Sequence, residues 1–144
     1  MEKIIRKTAA LVDTGILYAL ADKGDAWHRR AAASVVGFPG RLIVPASVIP
    51  EACYLLSSCL GPFAETAFLV ALNNREMSVE QVTGPDMVRT VEILKQYADA
   101  DIGFVDASLV AVAERLGINT ILTTDRRHFS LIKPAHCSAF TLLP

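Results

Sequence analysis

The stretch Thr8-Ala9-Ala10-Leu11-Val12-Asp13-Thr14-Gly15-Ile16-Leu17 decides the fold. Thr8–Val12 is a short apolar run, the pattern of a strand buried on both faces. An acid and a threonine end it, and Thr14–Ala21 then has helical composition. The same alternation continues outward along the chain. Arg41–Val44, Met77–Val82, Asn119–Thr123 and Ser138–Leu142 have strand character; Ala26–Val36, Ser47–Cys59, Pro62–Asn73, Pro85–Ala98 and Val105–Leu116 have helical character. Pro62 and Pro85 suit first turns, where the missing N–H does no harm, and Gly117 suits a helix end. Strands alternating with helices predict an α/β chain with a mostly parallel central sheet covered on both faces.

The 144 residues fit one domain, 1–144, with no repeat or linker to divide them. A chain 52% hydrophobic and 20% charged, with mean hydropathy +0.38, buries a substantial core and is not intrinsically disordered. So oily a surface is expected to be covered partly by another chain. The net charge of −1 excludes a global basic field, so any nucleic-acid contact is local. Cys53, Cys59 and Cys137 are odd in number and lack CxxC spacing, which argues against a disulfide framework or zinc knuckle and suits a reducing cytoplasm. Lys3, Arg6 and Lys7 before an apolar stretch faintly resemble a leader, but Asp13 interrupts the stretch. The longest uncharged run, Ala52–Ala64, is shorter than the ~20 residues of a spanning helix. A soluble cytoplasmic protein without a membrane partner is expected.

In open α/β sheets, ligands gather at the carboxyl ends of strands, so polar residues just after apolar runs carry the functional reading. Asp13 follows Ala9–Val12, and Asp125 follows Ile121–Thr124. Glu51 lies on the helix after Arg41–Val44, and Asp106 opens the helix after Ile102–Val105. Each has a structural reading: Asp13, Asp106 and Asp125 as helix N-caps, Glu51 as part of a solvated face. Against the last, Val48, Ile49, Ala52, Cys53, Leu55 and Leu56 make that helix mostly apolar. Four acids at one sheet edge repel one another and raise their own pKa values, a difficulty that a divalent cation removes. All-oxygen ligation suits Mg²⁺ or Mn²⁺, and such a site holds a phosphodiester and activates water. Thr14 and Thr123 are placed to support the acids, or to serve as cap and strand residues.

These segments together resemble the PIN-domain family of VapC-type toxins. Leu11-Val-Asp13-Thr14-Gly-Ile-Leu-Tyr-Ala-Leu20 is similar to the family's first acidic motif, with Gly15 where Ser is common. Asp25-Ala-Trp-His28 resembles the Asp…His segment that often follows. Val44-Pro-Ala-Ser-Val-Ile-Pro-Glu51 resembles the second motif, Gly103-Phe-Val-Asp106 the third, and Thr123-Thr-Asp125-Arg-Arg-His-Phe129 the fourth. The resemblance implies a three-layer α/β/α PIN-like fold and a Mg²⁺- or Mn²⁺-dependent endoribonuclease. It makes Asp13, Glu51, Asp106 and Asp125 the catalytic and metal-binding set, with Thr14, Thr123 and Asp99 supporting; Asp101 adds an unusual carboxylate. It also implies a VapB-type antitoxin partner and a homodimer, with Phe63, Phe68 and Leu69 available for such a surface or for the core.

RNA approaching an acidic pocket needs flanking cations. Arg126, Arg127, Arg29, Arg30 and His28 are placed to hold phosphates, or to form an ordinary solvated rim. Trp27 either stacks on a base or anchors its helix; His28 and His128 either shuttle protons or, since metal-activated water reduces the need for a histidine base, read as rim or packing residues. Two other classes compete: a PIN-like module that binds RNA or a partner without cutting, and a Mg²⁺-binding receiver domain, which Lys133-Pro134 superficially resembles. Thr14 after Asp13, where receivers carry paired acids, opposes the receiver. A dehalogenase-like phosphatase would need an Asp where Gly15 stands.

Overall fold

A computed structural model describes residues 8–144. The leader-like Lys3, Arg6 and Lys7 lie outside the described residues. The elements are β1 (Ala9–Val12), α1 (Thr14–Ala21), α2 (His28–Gly37), β2 (Arg41–Pro45), α3 (Val48–Leu60), α4 (Pro62–Asn73), β3 (Ser78–Glu80), α5 (Gly84–Gln96), a 3₁₀ turn (Ala98–Ala100), α6 (Phe104–Leu116), β4 (Thr120–Leu122), α7 (Arg126–Leu131) and β5 (Thr141–Leu143). The five strands form one sheet in the order β3-β2-β1-β4-β5. Every pairing is parallel, with Leu11 opposite Ile43 on one side and Ile121 on the other. Two helix groups, α1–α4 and α5 with α6, complete a three-layer α/β/α arrangement. Among the described residues no helix is long and apolar enough to cross a membrane.

Burial explains the composition. β1 sits at the centre of the sheet, with Ala10, Leu11 and Val12 wholly buried. In α6, every residue from Ala107 to Ala113 is buried, as expected of a helix that is apolar all round. The single hydroxyl in that run, on Ser108, is satisfied: it donates to the Val105 carbonyl (2.8 Å) and pairs with Ser47 Oγ (2.7 Å). Thr83 and Asp86 form a capping box at the start of α5. Gly117 ends α6 in the left-handed region, at φ 68°.

Several expected boundaries move, each for a local reason. The second helix begins at His28 instead of Ala26, because the Asp25 carboxylate accepts the Trp27 N–H (2.8 Å) and holds a turn there. The fifth begins at Gly84, one residue inside its Thr83 cap, and gives way after Gln96 to the 3₁₀ turn. The last strand is Thr141–Leu143, not Ser138–Leu142, since its register is set by pairing of Thr141 with Thr120. Helix α7 has no counterpart in the sequence reading: at six residues it is too short to display a helical period.

Candidate active site

The chain leaves β1 toward β2 and β3, then returns to its other side for β4 and β5. The reversal falls between β1 and β4, and the crevice beyond the carboxyl ends of those two strands is where a doubly wound sheet binds ligands. Asp13 and Asp125 stand at its two lips. Thr123, wholly buried between them, joins the lips: its hydroxyl donates to Asp13 Oδ2 (2.8 Å) and accepts the Asp125 N–H (2.9 Å). The Asp13 N–H in turn donates to the Leu122 carbonyl (2.9 Å).

The three aspartates differ in how far helix capping accounts for them. Asp13 precedes α1, but its side chain makes no capping hydrogen bond. Asp106 is not a cap at all; Gly103 holds that position, and Asp106 lies within the first turn of α6. Asp125 does cap α7, Oδ1 accepting the His128 N–H (3.1 Å) while Oδ2 lies 2.7 Å from His128 Nδ1. His128 Nδ1 is also 4.0 Å from Asp106 Oδ2. One potential ligand atom from each of Asp106, Asp125 and His128 falls within 4.8 Å of the other two. His128 is therefore part of the site rather than of its rim. Its signal in the sequence is its place three residues after a capping acid, which brings the side chain back over the cap.

Electrostatics identifies the same centre. Burial pushes the Asp106 carboxyl up to about 7, and the charges of Asp13, Asp125 and Glu51 add to the shift while His128 opposes it. Asp13, only 6% exposed, is also raised, chiefly by burial, against the hydrogen bond from Thr123 and with help from Glu51 and Asp125. Mutual repulsion is thus present as expected, but desolvation is the larger cause. Glu51 is exposed, contrary to the expectation that its apolar neighbours withdraw it from water. The buried stripe of α3 is Val48, Ala52 and Leu56, and Glu51 stands just beside it. Its charge still acts on both Asp13 and Asp106. Asp99 is exposed in the 3₁₀ turn, and Asp101 is exposed after it.

A divalent cation suits the donor set: several carboxylates at one crevice, and the Thr14 hydroxyl buried there without a hydrogen-bond partner among the described residues. The flanking cations divide into two groups. Arg126 and Arg127 are exposed on the first turn of α7, beside Asp125, and the Arg126 guanidinium donates to the Pro144 carbonyl. His28, Arg29 and Arg30 begin α2, where His28 Nδ1 bonds the Ala19 carbonyl (2.7 Å) and Arg30 lies over the Trp27 ring, 3.9 Å from its centroid.

A doubly wound parallel sheet with Asp106 and Asp125 clustered with His128 at its switch point, and Asp13 tied to Asp125 through Thr123, defines an α/β protein with an acidic, cation-suited centre. The PIN domain profile matches residues 10–133, and the chain belongs to the PIN domain family. It is 31% identical over 134 residues to Ribonuclease VapC26 of Mycobacterium tuberculosis (strain ATCC 25618 / H37Rv), covering 93% of this chain and 99% of that one. Among solved structures it is similar to VapC20 of M. tuberculosis, described as a Sarcin-Ricin loop cleaving toxin: TM-score 0.74 and 28% identity over 78% of this chain and 86% of the other. VapBC2 from Rickettsia felis, bound to a DNA fragment from their promoter, shares the fold at TM-score 0.70 and 13% identity, over 95% and 100% of the two chains.

Proposed function

We propose that this protein is a divalent-cation-dependent endoribonuclease, the toxin of a toxin–antitoxin pair, and that residues 1–144 work as one PIN-like domain. The observation that carries the reading is the crevice itself, where burial and three neighbouring carboxylates hold Asp106 at about 7, so that the ionised site calls for a cation. The similarity to a protein named a ribonuclease and to one described as a loop-cleaving toxin supports RNA as the substrate.

Asp13, Asp106, Asp125 and Glu51 would hold Mg²⁺ or Mn²⁺. A bound divalent cation supplies Lewis-acid polarisation of a phosphodiester and water of lowered pKa. The chain's own residues do the positioning. Thr123 fixes Asp13 and the Asp125 backbone through one hydroxyl, His128 holds the Asp125 carboxylate, and Thr14 offers a buried hydroxyl. Asp99 supports from outside the crevice. Arg126 and Arg127 receive RNA phosphates beside the acids, and His28, Arg29 and Arg30 extend the path. A VapB-type antitoxin and a second copy of the chain are the protein partners. The exposure of Phe63 (89%) and Leu69 (38%) on α4 supports a covered apolar face, whereas Phe68 packs against the core. The protein works in the cytoplasm.

The test is cleavage of mixed RNA by the purified protein with Mg²⁺ or Mn²⁺ and its arrest by chelator. Asp13→Asn and Asp106→Asn should each abolish cleavage with the circular dichroism spectrum unchanged. Full activity in both variants refutes the assignment, and RNA binding without any cleavage by the unmodified protein points to the non-cutting module instead. Growth arrest on expression, relieved by co-expression of a VapB-type antitoxin, tests the toxin role.

A further inference from the structure

The first turn of α1 and the segment after β4 meet at Gly15 and Thr124. A Cβ built on Gly15 would lie 2.1 Å from Thr124 Oγ1, 3.3 Å from its Cβ and 3.5 Å from its Cγ2. The Thr124 side chain therefore fills the volume that any side chain at position 15 would occupy. Gly15 has an ordinary helical backbone within α1 and is outside the left-handed region, so conformational freedom does not explain the glycine. Close packing does.

The two residues are also neighbours of the chemistry. Gly15 is two positions after Asp13, and Thr124 lies between Thr123, whose hydroxyl binds Asp13, and Asp125. Thr124 stands at a bend in the chain between Thr123 and Asp125, with its side chain against Gly15. We propose that Gly15 and Thr124 form an interlock: the threonine keyed into the glycine notch sets the separation of the two lips of the crevice, which makes Thr124 a positioning residue of the cation site. The inference rests on the cation-dependent reading above. Bringing the 2.1 Å contact out to ordinary van der Waals distance takes more than an ångström, and any part of it taken up by moving the lips apart strains the Thr123–Asp13 bond (2.8 Å) that joins them.

The experiment compares the unmodified protein with Gly15→Ala, Thr124→Ala, the double variant and Thr124→Gly. Mn²⁺ affinity is read by electron paramagnetic resonance, and thermal midpoints are read in chelator. Gly15→Ala should weaken Mn²⁺ binding about tenfold, the scale of losing support behind a ligand. Thr124→Ala in that background removes the 2.1 Å contact and should recover most of the loss. Thr124→Gly, which empties the notch without inserting anything, should fold and bind Mn²⁺ several-fold more weakly, and it decides the matter if Gly15→Ala does not fold. Unchanged Mn²⁺ affinity in Gly15→Ala with only the thermal midpoint lowered overturns the interlock, as does a double variant no better than Gly15→Ala. Absence of Mn²⁺ binding and RNA cleavage in the unmodified protein overturns the cation-dependent reading and the interlock with it.

Discussion

Replacing Asp106 by Asn should make the metal-free protein more stable while removing its response to Mn²⁺. Asparagine keeps the shape of the side chain and deletes the charge. The Asp106 carboxyl rises from 3.8 to about 7 in the folded protein. At about 1.4 kcal/mol per pKa unit, an ionised group so shifted costs ~4 kcal/mol at neutral pH if no water reaches it. The side chain is 22% exposed, and solvent screening brings the expected gain on substitution to about 2 kcal/mol. That corresponds to a rise of about 6 °C in thermal midpoint for a chain of this size. Because the folded pKa is raised, the native state binds the proton more tightly than the unfolded state. The unmodified protein's penalty is therefore absent below pH 4, grows as pH rises and is complete above about pH 7. Calorimetry in EDTA at pH 5, 6, 7 and 8 should show the variant's advantage widening from pH 5 to pH 7 and levelling off by pH 8. Added Mn²⁺ should raise the midpoint of the unmodified protein and leave the variant where it was. A variant no more stable than its parent at pH 8 in EDTA, with a gap indifferent to pH, refutes the reasoning.

Thr123→Val removes the donor to Asp13 and the acceptor for the Asp125 N–H; unfolding in urea should show a loss of about 1–3 kcal/mol, and Mn²⁺ titration about tenfold weaker binding. His128→Gln deletes a neighbour whose charge lowers the Asp106 pKa. The pH midpoint of Mn²⁺ binding should then move upward, and a downward move contradicts the assignment. Arg115→Met leaves Asp86, a buried carboxylate 2% exposed, without its guanidinium partner (3.0 Å). Urea unfolding should show a loss of about 3 kcal/mol or more, with Mn²⁺ affinity unchanged because Arg115 is in the last turn of α6 and Asp106 in the first.

The sheet and its helices are legible wherever local chemistry and tertiary burial agree. α1 and α4 have the expected bounds, because Asp13 ends a buried strand and Gly61-Pro62 starts a helix without ambiguity. The convergence of Asp13 and Asp125 follows from a rule about strand ends, and that rule needs only the order of apolar runs. What stays hidden depends on partners remote in the chain. The exposure of Glu51 is set by which stripe of α3 meets the sheet, and the place of His128 depends on a helix too short to announce itself. The Thr123 hydroxyl spans 110 positions to reach Asp13, a distance that no window of sequence reveals.

That span also has a consequence for biosynthesis. While the ribosome has released only the first two thirds of the polypeptide, β1 has its neighbour β2 but not β4. Neither Thr123 nor Asp125 yet exists to complete the crevice with Asp13. Closure across so many positions comes late in folding. A nascent or prematurely terminated chain therefore carries Asp13 without the rest of its site, which is assembled only when translation is nearly finished.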